Sequence, residues 1–521
     1  MPATLQRILH PAARIVVGAL LLVCVVRLDG RPVVFADSNI YYWMGQMQLR
    51  PARYALAPLT GGPSRASEDP DAADEAPAEM HLRRTEMAAR SPWFGTWLYV
   101  TAGWGGLWWM TGLQALAASF AVHALWRALA PGGRWGAWLG LMLGLAAGST
   151  LPFFAGFAMP DVWAGIAGVS LAALLFVRAR VGPVSQATLG ALLVAGVAFH
   201  PTNGVVLSGA TALAAPATIR WLGRPARDLV PGAAWLAGAL MITALLNGAY
   251  AGAIRAATGD TIRSPPFLAA RLLADGPGRR YLRAHCGAAA SGPRGEPPWA
   301  LCRFSRLPLT DSQDILWSGD PARGVFGRAS AEERAKIDAQ QSAFVMQVLL
   351  SDPAGVISAA MRNVARTLIS VQLDDPLRDP HFYLTDPDWR DTFIADLVHH
   401  LGGCGPDETG CRPRFTEVQS AVWHGGLFGL SLAVIGWRMN RRDWRRGLRW
   451  GVAPVRDATA VVLLFTLVLL VNAGVTGALS GPFARYQARI AWLAPLAALL
   501  VVSAGDLRRL RKDVGARASR D

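Results

Sequence analysis

The sequence predicts an all-α polytopic membrane protein of about ten transmembrane helices. Three observations carry this. The chain of 521 residues is 52% hydrophobic and only 17% charged, too apolar for an ordinary soluble protein of its size. Apolar runs of about 17–22 residues recur, the length that spans a bilayer core. The arginines gather in short clusters between those runs. A net charge of +15 would otherwise point to nucleic acid. Clusters that alternate with apolar runs are instead how a positive-inside membrane protein distributes its charge. The 20 tryptophans fit anchoring at the two interfaces.

The first expected span is 12–28. Arg7 and Arg14 precede it, and Arg27-Leu28-Asp29-Gly30 follows without a small-x-small cleavage pattern. It therefore reads as a retained helix with a cytoplasmic N-terminus. Residues 29–92 then form an outer loop. The acidic tract from Ser67 to Glu75, interrupted by Pro and Ala, reads as a solvated low-complexity excursion. Pro92 opens a short interfacial helix rich in tryptophan. Spans two and three are expected at 107–126 and 136–154, with Arg127 and Arg134 on the cytoplasmic turn. Span four follows the outer turn Met159-Pro160-Asp161 and ends near 177, before Arg178 and Arg180. Spans five and six, 185–199 and 203–219, flank an outer turn at His200-Pro201. Span seven, 229–249, follows Arg220, Arg224 and Arg227.

Residues 250–418 form the only stretch large enough for a soluble domain, with a mainly helical pattern. Spans eight, nine and ten are expected at 421–437, 457–478 and 488–504, with the basic run Arg438–Arg449 and the basic tail inside. This divides the chain into a membrane module (1–249), a periplasmic domain (250–418) and a second membrane module (419–521). Alternation of sides places every basic cluster in the cytoplasm and every acidic or cysteine-bearing loop outside. Both termini are then cytoplasmic, in a multi-pass protein of the cell inner membrane.

The cysteines check this independently. Cys24 lies in span one and reads as a small buried apolar residue. Cys286, Cys302, Cys404 and Cys411 all fall in the 250–418 segment. Two local pairs in an oxidising compartment predict the disulfides Cys286–Cys302 and Cys404–Cys411. A zinc site is the rival reading, although no CxxC spacing is present.

Candidate site residues lie where the chain meets the outer face. Asp37 follows span one and precedes Tyr41, Tyr42 and Trp43. A carboxylate at a membrane face is costly unless paired or functional. It reads either as a helix cap or as a base for an acceptor hydroxyl. Asp161 also reads as a cap, or as a partner of Asp37 in acid–base work or in holding a divalent cation. Arg485, Tyr486 and Arg489 place basic and phenolic groups on the outer side, against the topological rule. They suit a phosphate, or headgroup snorkelling. His200 reads as a structural hydrogen-bonded residue or a substrate-lining one. Trp93, Trp104 and Trp108 read as interfacial anchors or sugar platforms.

This arrangement resembles the GT-C superfamily of polytopic glycosyltransferases that use polyprenyl-phosphate sugars. The residues that carry the resemblance are Asp37 after the first span, Arg90-Ser91-Pro92-Trp93-Phe94-Gly95 at the entry to an interfacial helix, Asp161 between spans three and four, and Arg485-Tyr486 before the last span. It implies a GT-C-like fold in which Asp37 acts as base or site carboxylate. Arg485, Tyr486 and Arg489 meet the lipid phosphate, and Tyr41, Tyr42, Trp93 and His200 line the substrate. Partners are then a polyprenyl-phosphate-linked sugar and a glycan, lipid or protein acceptor of the cell envelope. No Asp-x-Asp or Glu-x-Asp pair immediately follows Asp37, so the pattern names no metal ligand. The competing functional readings are a non-catalytic component of polysaccharide assembly, a lipid or polysaccharide transporter, and a polymerase.

Overall fold

The computed structural model describes residues 3–60, 90–258, 265–286, 298–373, 379–385, 390, 393–405, 408 and 411–504. The acidic tract and the basic tail lie outside the described residues. Among those described, the regular elements are helices, with one isolated bridge between Val33 and Phe157.

Among the described residues, six stretches are long and apolar enough to cross a membrane. They are His10–Asp29 within α1 (Ala3–Asp29), α8 (Pro201–Leu222), Ala226–Ala257 within α9 (Ala226–Thr258), α17 (Glu417–Asn440), α19 (Ala453–Leu479) and Ala484–Ser503. The last comprises α20 (Ala484–Ala491) and most of α21 (Leu493–Ala504). Each of the ten expected spans falls on a helix, but not each helix has spanning length. Three are shorter: α4 (Trp135–Gly148), α6 (Val162–Phe176) and α7 (Pro183–Phe199), of 14, 15 and 17 residues. At 1.5 Å per residue these reach about 21–26 Å, short of a core of about 30 Å. The shortness has a packing counterpart, since every residue of α6 is buried against neighbouring helices.

Three local expectations are corrected. Residues 29–92 are not all loop: α2 (Ala36–Thr60) begins one residue before Asp37, so Asp37, Tyr41 and Tyr42 stand on a helix. The interfacial helix at Pro92 and the second span belong to one element, α3 (Pro92–Leu129), broken at Gly105 and Gly106. Gly106 has φ +69°, where a Cβ would be strained, and Trp104 and Trp109 flank the break with exposed rings. Cys24 is exposed, not buried, on the outer surface of α1.

The 250–418 segment divides by core. Residues 267–348 bury their own cluster, including Leu273, Leu282, Phe304, Phe326 and Phe344. Helix α10 (Phe267–Asp275), α11 (Pro277–His285) and α13 (Ala331–Ser351) frame it, and Cys286–Cys302 closes it. At Asp352-Pro353 the chain bends by 102° into α14 (Pro353–Ile369), which lies along α19. Counting that bent pair as one span gives seven. Leu373, Tyr383, Ile394, Leu397 and Val398, with the Cys404–Cys411 disulfide, pack instead into the core of the membrane helices.

At the end of the bundle carrying Arg180, Arg224 and Arg438, a buried carboxylate ties three turns together. Asp457, 3% exposed, pairs with both Arg180 and Arg224. The sequence reading used these arginines only as markers of side. Their common partner makes them part of the helix packing as well.

Candidate functional site

The site forms where four distant segments meet. Residues 33–38 are stitched to the turn before α6: Val33 N donates to Gly156 O, Ala158 N donates to Val33 O, and Ser38 Oγ donates to Ala158 O. Ala36 N donates to the Tyr383 hydroxyl at 3.1 Å. Ser91 caps α3 and donates through Oγ to Ala198 O, which brings Arg90 and the end of α7 alongside. Helix α2 lies close along α3 because Gly45 and Gly95 face each other: a Cβ on Gly45 would run into the Gly95 carbonyl, and one on Gly95 into the Tyr41 carbonyl oxygen.

These ties bring Asp37, Asp161, Arg485, Tyr486 and Arg489 together. Arg90 donates to Asp37 Oδ1 at 2.5 Å, and Arg485 donates to Asp37 Oδ2 at 3.4 Å. Arg485 lies over the rings of Phe35 (5.5 Å) and Tyr486 (5.7 Å), and Arg489 lies over the same Tyr486 ring at 5.6 Å. Arg489, fully buried on α20, faces Asp161 at 3.6 Å and donates to Asn472 Oδ1 at 3.2 Å and Thr202 Oγ1 at 3.3 Å. Thr202 in turn bonds to Nδ1 of His200 at 2.7 Å. Tyr486 thus contributes its ring to hold two guanidiniums.

Neither carboxylate is used as a plain helix cap. Asp161 stands at the cap position of α6 but makes no side-chain cap hydrogen bond. The two do not face each other as a carboxylate pair either. Each faces arginine, so a cation placed here would meet guanidiniums first. Among the described residues, three guanidiniums face these two carboxylates. Asp161 Oδ2 and Arg489 Nε and Nη1 are buried without a hydrogen-bond partner. Such atoms are costly unless a ligand or water completes them.

The electrostatics follow from these contacts. Burial would raise the Asp37 pKa, but Arg90 and Arg485 outweigh it and hold the carboxyl well below the usual range. Burial, with Asp37 nearby, pushes the Tyr41 phenol up. Burial and the charges of Arg489 and Arg485 hold His200 well below the ordinary imidazole value, so it is neutral at pH 7.

The remaining expected residues are distributed around this centre. Tyr41 stacks edge-on against Phe94, and Tyr42 packs on Tyr99. Trp93 donates to Asn247 and packs on Tyr250, away from the ionic cluster. Cys286–Cys302 and Cys404–Cys411 are both disulfides. Cys404, Glu408 and Cys411 lie together, but the bonded sulfurs offer no thiolate to a metal. Arg90, which the sequence offered as a loop contributor by position alone together with Glu86, joins Thr202, Tyr383 and Asn472 in completing the centre; Glu86 lies outside the described residues. Of these, Asn472 carried a legible signal: it is a lone amide inside an apolar run, where polar groups are placed for a reason.

Compared with known protein families, curated proteins and solved structures, the chain matches none of the three.

Proposed function

We propose that this protein is an inner-membrane glycosyltransferase that moves a sugar from a polyprenyl-phosphate donor to an envelope acceptor at the periplasmic face. The observation that carries the reading is the gathering of Asp37, Arg90, Arg485, Arg489 and Asp161 around Tyr486 beside membrane-spanning helices. Forked guanidiniums suit the oxygens of a phosphodiester.

In this mechanism the acceptor hydroxyl attacks the anomeric carbon, and the carbon–oxygen bond to phosphate breaks with its electrons going to the phosphate. The hydroxyl proton passes to Asp37. Charge grows on the leaving phosphate as the bond breaks, so Arg485 and Arg489 stabilise the transition state more than the ground state. Asp37 with both oxygens taken by arginine is a weak base. A donor phosphate competes for Arg485 and so releases Oδ2 toward the acceptor.

That same double pairing favours a second reading, in which the cluster is a structural clamp in a non-catalytic assembly component. Asp37→Asn separates them. In membranes supplied with labelled polyprenyl-phosphate sugars, the transferase reading expects transfer to fall roughly 10²–10⁴-fold. Binding of farnesyl phosphate, a short prenyl monophosphate, should persist. Undiminished transfer in a folded Asp37→Asn protein would remove the catalytic role and leave the clamp.

A further inference from the structure

His200 enters the site through a directed chain of hydrogen bonds. A guanidinium can only donate, so Arg489 Nη2 donates to Thr202 Oγ1. The Thr202 hydroxyl has one proton, and its other hydrogen bond is to His200 Nδ1. Among the described residues, no other acceptor bonds this hydroxyl. The hydroxyl satisfies its own donor by turning that proton to Nδ1, which then accepts. A neutral imidazole that accepts at Nδ1 carries its proton on Nε2. Among the described residues Nε2 has no hydrogen-bond partner, and the ring is half-buried next to the cluster.

We infer that His200 is a fixed Nε2–H donor that bonds an anionic phosphoryl oxygen beside Arg485 and Arg489, and that Thr202 is the positioning residue that sets its tautomer. This rests on the transferase reading for its ligand, but not for its tautomer. A neutral donor has a use that a fourth cation would not. It binds the phosphate without adding to the charge that already holds Asp37, so the carboxylate is not drawn further from the acceptor. Burial keeps the ring neutral, helped by Arg489 and Arg485 on α20 and opposed by Asp37 on α2. The role assigns His200 to the leaving-group side and excludes it as the proton acceptor.

The test uses the full chain in lipid nanodiscs with 15N-labelled histidine. Its His200 signals are assigned by their absence from His200→Gln. The expected spectrum is a neutral ring protonated at Nε2 from about pH 6 to about pH 8, replaced by mixed tautomers in Thr202→Val. An Nδ1–H tautomer or an imidazolium at about pH 7 would overturn the relay. Farnesyl phosphate should then shift the Nε2 signal, while inorganic phosphate at the same concentration should shift it less, which identifies the lipid-linked source. His200→Gln, whose amide nitrogen overlays Nε2, should keep farnesyl phosphate affinity within about threefold, and His200→Asn should lose roughly tenfold or more. Equal loss in both, or a wild-type Nε2 signal unmoved by bound farnesyl phosphate, would overturn the donor role. Failure of the wild type to bind farnesyl phosphate at all would overturn the transferase reading and the ligand assigned here. A correct tautomer would in that case still establish the relay.

Discussion

The Asp161–Arg489 pair gives the sharpest separation of structure from function. Its side chains are 2% and 0% exposed and 3.6 Å apart. Removing one partner of such a pair strands a charge in a water-poor interior and typically destabilises by about 3–5 kcal/mol. Arg489→Met should sit at the upper end. It strips Asp161 of its counter-charge and also takes the donor from Asn472 Oδ1 and Thr202 Oγ1. Asp161→Asn preserves shape and should sit at the lower end. The double variant Asp161→Leu/Arg489→Met removes both charges at once. Replacing a buried pair by apolar side chains is often neutral or stabilising, by about 1–4 kcal/mol. Here the two stranded acceptors offset that gain, so stability should return close to wild type.

Thermal unfolding in detergent, followed by tryptophan fluorescence, reads the first half. The single variants should unfold several degrees below the wild type and the double variant near it. Farnesyl phosphate binding reads the second half. If the pair belongs to the phosphate site, the refolded double variant should bind at least tenfold more weakly, since a charge-assisted contact contributes about 1.5–3 kcal/mol. Single variants within about 0.5 kcal/mol of wild type would refute the buried pairing. A stable double variant with full affinity would show that the pair serves packing alone.

Three further outcomes are expected. Asp37 has a depressed folded-state pKa, so its contribution to stability is complete above the unfolded value near about 3.9 and is lost as pH falls through the folded value. The melting-temperature gap between wild type and Asp37→Asn should therefore be flat from about pH 5 to 8 and close only in stronger acid, and a gap that changes near neutrality would contradict the double pairing. The disulfides close loops of 16 and 7 residues, and in the chain-entropy model each adds roughly 2–3 kcal/mol. Mass mapping should find all four cysteines oxidised, and Cys286→Ser/Cys302→Ser should loosen residues 267–348 in hydrogen exchange before the membrane helices. An export-dependent reporter should be active when fused after Ala300 and silent after Trp444, and the reverse would invert every assignment of side.

The helices were legible because apolar composition and arginine punctuation are local properties, which is why a helix lies at each expected span. Their lengths against the membrane were not. Helix α6 is only 15 residues, and its completely buried surface depends on neighbours that no window of its own sequence contains. The candidate site divides in the same way. Asp37, Asp161, Arg485 and Arg489 could be picked out because charge beside apolar sequence is conspicuous. Which of them pair, and with what, could not be read, because pairing is fixed by three-dimensional register. Arg90 reaches Asp37 only because Ser91 is anchored to Ala198 and because two glycines let α2 and α3 approach.

This bears on how the carboxylates are to be judged. From sequence, both Asp37 and Asp161 compete with a capping role, and spacing does not choose. The geometry removes the cap at Asp161 and gives both residues to arginines of one short helix, α20. Asp37 has two arginines, and among the described residues the deeper pair has buried atoms left over on both partners. Uncompensated buried polar atoms destabilise a purely structural clamp. An anion would complete the hydrogen bonds of the fully buried Arg489. The open donors of Arg489 are therefore the feature of this centre that supports anion binding as its proposed role.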